Sequence, residues 1–212
     1  IDDNSSDENL KKLKDLINTH GIDCEIINHD KSEHKEKIAA ENNQETFGNL
    51  SSLLKCFEVA KKDQSDLIYF VEDDYLHYEH SLVDMLNTYE RVSSQHKDEI
   101  IVCPSDYPFN YMNNEKTNIL IGSQQHWRTI TKMLCTFMIS KKMFQKYIDN
   151  FEKTCEKRHE PFEKYLNKIL ESEIGISPIK SLAIHMTNVN SSYGLSPFID
   201  LKKLWEENKI DQ

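Results

Sequence analysis

The chain has 212 residues, 38% of them hydrophobic and 29% charged, with a net charge of -10. That length supports one large domain or two small ones around an ample core, and the acidic balance argues against a nucleic-acid surface or a polybasic membrane patch. No apolar run approaches the roughly 20 residues of a transmembrane helix, and five glycines without a G-x-G-x-x-G or Walker loop leave any nucleotide to be held by other means.

Read in order, Ile1 to Ser6 is the end of a strand and the loop after it. Ser5 and Glu8 have capping-box spacing, and Leu10, Leu13 and Ile17 stripe a helix running to about His20, where Gly21 stops it. Residues 22–28 read as a strand, and 29–46 as a polar loop with one helical turn around Ile38. Leu50, Leu53, Leu54 and Phe57 follow helical spacing, which predicts a helix over 49–62. Leu67 to Val71 is a short apolar run of the kind covered on both faces inside a parallel sheet.

Residues 80–93 repeat the helical pattern through Leu82, Leu86 and Tyr89. Strands are expected over 99–103, 118–121, 131–139 and 179–185, with a turn over 122–125. A helix carries Phe144, Tyr147, Ile148 and Phe151. Pro161, at a first helical position, opens another helix through Phe162, Tyr165, Leu166, Ile169 and Leu170. The last helix spans 200–208 and packs through Leu201, Leu204 and Trp205. The alternation predicts one α/β domain with a mixed, mostly parallel central sheet flanked by helices.

Cys24, Cys56, Cys103, Cys135 and Cys155 are odd in number, widely spaced and lack a C-x-x-C pair. That pattern fits reduced thiols in a cytoplasmic protein better than a disulfide framework or a zinc site.

Glu72, Asp73 and Asp74 follow the apolar run without a break. Three adjacent like charges repel, and ending a strand does not require them. Mn²⁺ or Mg²⁺ bridging a diphosphate accounts for them, because these ions take oxygen ligands, and ligands of open α/β folds sit beyond the carboxyl ends of strands. A solvated acidic loop is the competing account. Asp74, His77 and His80 have a spacing that suits zinc on a helix, but no fourth ligand is evident.

The ordered set of Asp2-Asp3-Asn4-Ser5-Ser6 after a strand, a helix led by Gly48-Asn49, and an apolar strand ending in Glu72-Asp73-Asp74 resembles the GT-A fold glycosyltransferases, nearest their family 2 branch. The resemblance runs from Ile1 to about Phe198. It implies a Rossmann-like GT-A domain over 1–212, with a nucleotide-binding half over 1–104 and an acceptor-binding half over 105–212. Family members open with a strand and a loop that touches the nucleotide, so the first strand is expected to be missing ahead of Ile1.

The resemblance also implies site roles. Asp2 and Asp3 lie on the donor side, with Asp3 hydrogen-bonding the base, usually uracil. Asp73 becomes the ribose partner, Asp74 the metal ligand, and Glu72 stands where many members carry the first Asp of a D-x-D. His185 ends a late apolar strand, where some members supply a metal ligand or a diphosphate contact; a structural histidine is the alternative. Glu160, with Glu163 as its rival, stands where an inverting enzyme places its general base, unless Glu160 only caps its helix. Trp127 and Arg128 suit a sugar face and a phosphate, or else pack in the core and on the surface respectively. The segment from Asn188 to Gly194, hinged at Tyr193-Gly194, is expected to close over the nucleotide.

The implied function is metal-dependent transfer of a sugar from a nucleotide-sugar donor, UDP-linked, to a carbohydrate acceptor, with inversion. A nucleotidyltransferase would share the sheet and the acids but carry a basic Gly-rich loop. A non-catalytic sugar-binding module would keep the aromatics and lose the metal and base.

Overall fold

The computed structural model describes residues 1–38, 41–112, 114–190, 194–196 and 199–209. The chain divides into two interleaved compact units, Ile1–Asp63 with Ile148–Tyr165, and Gln64–Tyr147 with Leu166–Gln212.

In the first unit, helix α1 (Asp7–His20) is capped by Ser6, whose hydroxyl accepts from the Asn9 amide at 3.3 Å, so the cap falls one residue after Ser5. Gly21 ends the helix in the left-handed region, at φ 60°, where a residue without Cβ is unstrained. The expected strand over 22–28 is not formed. A single parallel bridge ties Asp2 to Asn28, with the Asp2 amide donating to Ile27 O and the His29 amide to Asp2 O.

A 3-10 turn covers Lys31–His34 and precedes fully buried Ile38. Helix α2 (Gln44–Lys62) begins five residues before Asn49 because Asn43 caps it, its side chain accepting from the Thr46 amide. Its buried face is Leu50, Leu54, Phe57 and Ala60. Phe57 meets Phe151 of helix α5 (Ile148–Thr154) edge-on at 5.1 Å. Such aromatic pairs contribute about 0.5–1.5 kcal/mol beyond area burial.

The second unit carries a six-stranded sheet in the order β1-β6-β3-β7-β5-β4, formed by β1 (Leu67–Phe70), β3 (Ile100–Val102), β4 (Ile119–Ile121), β5 (His126–Ile130), β6 (Phe137–Ser140) and β7 (Ile174–Pro178). The fold is α/β with a mixed sheet, but it corrects the expectation of mostly parallel pairing: within this sheet only β3 and β7 run parallel, and the other four neighbours are antiparallel. The cause lies in the connections. The four-residue turn Gly122–Gln125 folds β5 straight back on β4, and β6 enters antiparallel to both β1 and β3. β1 is the end strand of this sheet, and of Leu67–Phe70 only Phe70 is buried, so the apolar run is not covered on both faces.

The core of this unit gathers Met85, Val92, Ile100, Val102, Trp127, Met138, Ile176 and Leu182. Helix α3 (Ser81–His96) turns Met85, Thr88 and Val92 inward, while Leu82, expected on the apolar stripe, is 50% exposed and Leu86 is exposed too. Asp84 shifts the buried face: its carboxylate, buried with it, accepts from the Gln124 amide, the Gln125 side chain and the Thr88 hydroxyl, fastening α3 to the β4–β5 turn. The helix expected across 144–151 breaks at Tyr147 into α4 (Lys141–Lys146) and α5.

A separate two-stranded ribbon pairs β2 (Tyr75–His77) with β8 (Ala183–His185), antiparallel, with Tyr75 opposite His185. Helix α6 spans Lys164–Ile169, three residues beyond Pro161. Helix α7 (Leu201–Glu207) is capped by the Asp200 side chain and buries Leu204, whereas Trp205 is exposed. No helix of the described residues is long and apolar enough to cross a membrane.

Candidate functional site

Glu72, Asp73 and Asp74 form a turn between β1 and β2 in which the Tyr75 amide donates to Glu72 O. Glu72 is folded away from its neighbours, with both its amide and a carboxylate oxygen bonded to the Thr136 hydroxyl, at 3.0 and 3.2 Å. Asp73 is exposed and Asp74 half-buried.

The β2–β8 pairing brings Asp74 to His185, with His185 Nε2 2.8 Å from Asp74 Oδ2. The two residues assigned to a metal from sequence therefore meet, although they lie far apart in the chain. The residues just after His185 secure both. Met186 N donates to Asp74 O at 2.9 Å, and Thr187 Oγ1 donates to Asp74 Oδ2 at 2.5 Å. Asn188 Nδ2 lies 2.8 Å from His185 Nδ1. Sequence reasoning missed Thr187 and Asn188; their signal was polar residues packed directly after a strand-end histidine.

The donor set fits a small divalent cation. An imidazole nitrogen and a carboxylate oxygen bound side by side to one such ion stand about 3 Å apart, close to the separation between Asp74 and His185. Among the described residues no three His, Cys, Asp or Glu side chains form a metal-holding group. Asp74 and His185 could supply two protein ligands, one of them an imidazole, a donor that transition ions take more readily than Mg²⁺ does. The zinc spacing of Asp74, His77 and His80 does not hold: His77 ends a strand with Nε2 2.6 Å from Tyr69 OH, and His80 precedes α3.

A small cavity beside His185 is lined by Ser105, Asp106, Ser181 and Leu195 among others. Asp106 is buried, and burial raises its carboxyl to about 6 against the lowering effects of the Tyr111 hydroxyl and the Arg128 guanidinium. Tyr111 donates to Asp106 Oδ2 at 2.5 Å, and Arg128 Nη2 lies 3.3 Å from Asp106 Oδ1. The guanidinium also stacks on the Tyr111 ring at 4.2 Å. Arg128 is thus neither a surface residue nor an open phosphate clamp. Trp127 is 0% exposed and presents no face to a sugar. An acid four residues beyond β3 was the legible signal for Asp106.

In the first unit, Asp2 Oδ1 accepts from the Ser5 amide at 3.3 Å, and Asp3 Oδ1 lies 3.5 Å from Lys31 Nζ. Gly48 keeps the space beside Asp3 open, since a Cβ there would sit 3.3 Å from Asp3 Oδ2. Glu160 is exposed and does not start a helix. Glu163, immediately before α6, is half-buried; burial pushes its carboxyl up, and the Glu160 charge adds to that. Of the segment expected to close over the nucleotide, Ser191, Ser192 and Tyr193 lie outside the described residues.

Neither a protein-family model nor a curated protein sequence matches the chain.

Proposed function

We propose that the protein is a divalent-cation-dependent glycosyltransferase of the GT-A type, moving a sugar from a UDP-linked donor to a carbohydrate acceptor with inversion. The observation that carries this reading is the 2.8 Å meeting of Asp74 with His185 beside an acidic strand end. Mn²⁺ or Mg²⁺ held by these two side chains supplies the positive charge that a departing diphosphate needs.

The remaining roles fall to the chain's own groups. Asp73, exposed next to Asp74, takes the ribose hydroxyls. Between the two candidate bases, Glu163 is favoured over Glu160, because burial raises its carboxyl and a raised pKa makes a carboxylate the stronger base. The five free thiols support a reducing, cytoplasmic setting.

Calorimetric titration with UDP, with and without Mn²⁺, tests the reading beside Asp74→Ala, with circular dichroism to verify folding. Micromolar binding that requires both Mn²⁺ and Asp74 is expected. A folded protein that binds neither UDP nor any other nucleoside diphosphate would overturn the assignment.

A further inference from the structure

We infer that Asp106 is a specificity-determining residue that accepts a hydrogen bond from a hydroxyl of the donor sugar, in the cavity it shares with His185. The inference deepens the transferase reading and rests on it.

Asp106 is a buried carboxylate with accepting capacity to spare. Its Oδ2 accepts from the Tyr111 hydroxyl, but its Oδ1 is buried without a hydrogen-bond partner among the described residues. Arg128 Nη2 lies 3.3 Å from Oδ1 and balances its charge without donating to it. A carboxylate offers about four acceptor positions, and leaving a buried one unmet is costly.

The residue is also held in place relative to His185. The loop after β3 is stitched to the segment that leads into and forms β8. Ser105 Oγ donates to Ala183 O at 2.7 Å, the Asp106 amide to Ser181 Oγ at 2.6 Å, and the Leu182 amide to Pro104 O at 2.8 Å. Asp106 and His185 line one small cavity, with Gly194 and Leu195 on its wall as well. All of these residues belong to the second unit.

What Oδ1 requires is a neutral hydrogen-bond donor. A phosphate oxygen would be repelled there, which leaves the diphosphate to the cation at Asp74 and His185. The sugar is bonded to the β-phosphate, so it is the part of the donor that lies next to that cation, whereas the uracil is separated from it by the ribose. Sugar hydroxyls donate. The cavity is too small for a sugar ring and takes one hydroxyl from its edge. A carboxylate held at one place favours the sugar that brings a hydroxyl to it, because a site built for a hydrogen bond rejects ligands that lack it.

Calorimetric titration with saturating Mn²⁺ compares UDP with UDP-glucose, UDP-galactose and UDP-N-acetylglucosamine at about pH 7.5, where a carboxyl raised to about 6 is ionised. Wild type is set beside Asp106→Asn and Asp106→Asn/Arg128→Met; the double variant leaves neither charge unpaired, and circular dichroism checks both folds. Wild type should prefer one of the three sugars. In the folded variants that UDP-sugar should weaken about 10–100-fold relative to UDP, with UDP itself binding as in wild type. Equal affinity of wild type for all three sugars, or an unchanged ratio of UDP-sugar to UDP affinity in the variants, would overturn the role. So would a parallel loss of UDP and UDP-sugar by a folded variant. If wild type binds no UDP, the transferase reading itself falls and takes the inference with it.

Discussion

Tyr75 and His185 sit directly opposite each other in the β2–β8 ribbon, their rings stacked at 4.7 Å. Tyr75 is itself held, its hydroxyl bonded to that of Tyr107, and burial drives both phenols well above their ordinary pKa, so the pair stays neutral. Packing therefore fixes the plane of His185 separately from the polar contacts of its ring nitrogens. His185→Phe should retain the stack and stay within roughly 0.5 kcal/mol of wild type, whereas His185→Ala should lose about 0.5–1.5 kcal/mol. Both should abolish Mn²⁺-dependent UDP binding. Urea midpoints beside a Mn²⁺ titration measure the two effects independently.

Gly122 has little room beside it. A Cβ there would come within 2.2 Å of the Trp127 ring, and Trp127 is held in the core with no slack. Gly122→Ala should cost about 1–3 kcal/mol or more by overpacking, read as a lowered denaturation midpoint with unchanged slope.

Four buried or half-buried side chains of the first unit form one hydrogen-bonded row. His29 Nε2 and His34 Nδ1 both reach Ser51 Oγ, at 2.8 and 2.9 Å, and His34 Nε2 lies 3.2 Å from Glu58. The order Glu, His, Ser has the sequence of a hydrolytic triad, but Ser51 is fully buried and no substrate can reach it. His29 is held below its ordinary pKa by burial first, then by His34 and Lys55, against Glu33 and Asp3. Its Nδ1 is buried without a hydrogen-bond partner. A lowered folded pKa means that the unfolded chain binds the proton more readily. The stability from neutral His29 is therefore full above about pH 6.5 and falls as pH drops through that value towards the folded pKa. Urea midpoints measured between about pH 7.5 and 5 should fall less steeply in His29→Asn than in wild type. Ser51→Ala, which leaves two rings without their shared partner, should lose about 1–3 kcal/mol at neutral pH.

Asp106 and Arg128 form a buried pair, and breaking it from one side exposes the cost of the other. Arg128→Met should destabilise by about 3–5 kcal/mol near neutral pH and push the Asp106 carboxyl further up. Because that carboxyl is already raised to about 6, its ionisation opposes folding as pH climbs from 4 through 6. The penalty of Arg128→Met should accordingly shrink below pH 5. The double variant Asp106→Asn/Arg128→Met should regain much of the loss, and a denaturation cycle over both residues checks it.

Much of the site was readable because its residue types are constrained by chemistry. Three adjacent carboxylates after an apolar run, and a histidine closing a later one, have few structural reasons to exist, and the β2–β8 ribbon brings one of those carboxylates, Asp74, to His185, while Glu72 turns to Thr136 and Asp73 stays exposed. Periodicity alone was a weaker guide. Leu82 and Leu86 obey helical spacing yet face outward, because buried Asp84 and its bonds to the β4–β5 turn rotate α3 about its axis. The run from Leu67 to Val71 looked buried on both faces, but as an end strand it buries only Phe70 of β1 and leaves Val71 half exposed. Strand direction was illegible for a related reason. It depends on which distant strand inserts where, as β6 does between β1 and β3, and no local pattern encodes that.

The bond from Thr187 to Asp74 joins residues 113 positions apart. Closing so long a loop is entropically costly and slow compared with local pairing. During synthesis the acidic turn leaves the ribosome well before its partner exists, and it must carry its mutual repulsion while most of the second unit is still being made. The Asp74–His185 pair thus assembles only once β8 has been made: a polypeptide interrupted before residue 183 has the acids without β8, His185 or the turn that holds them.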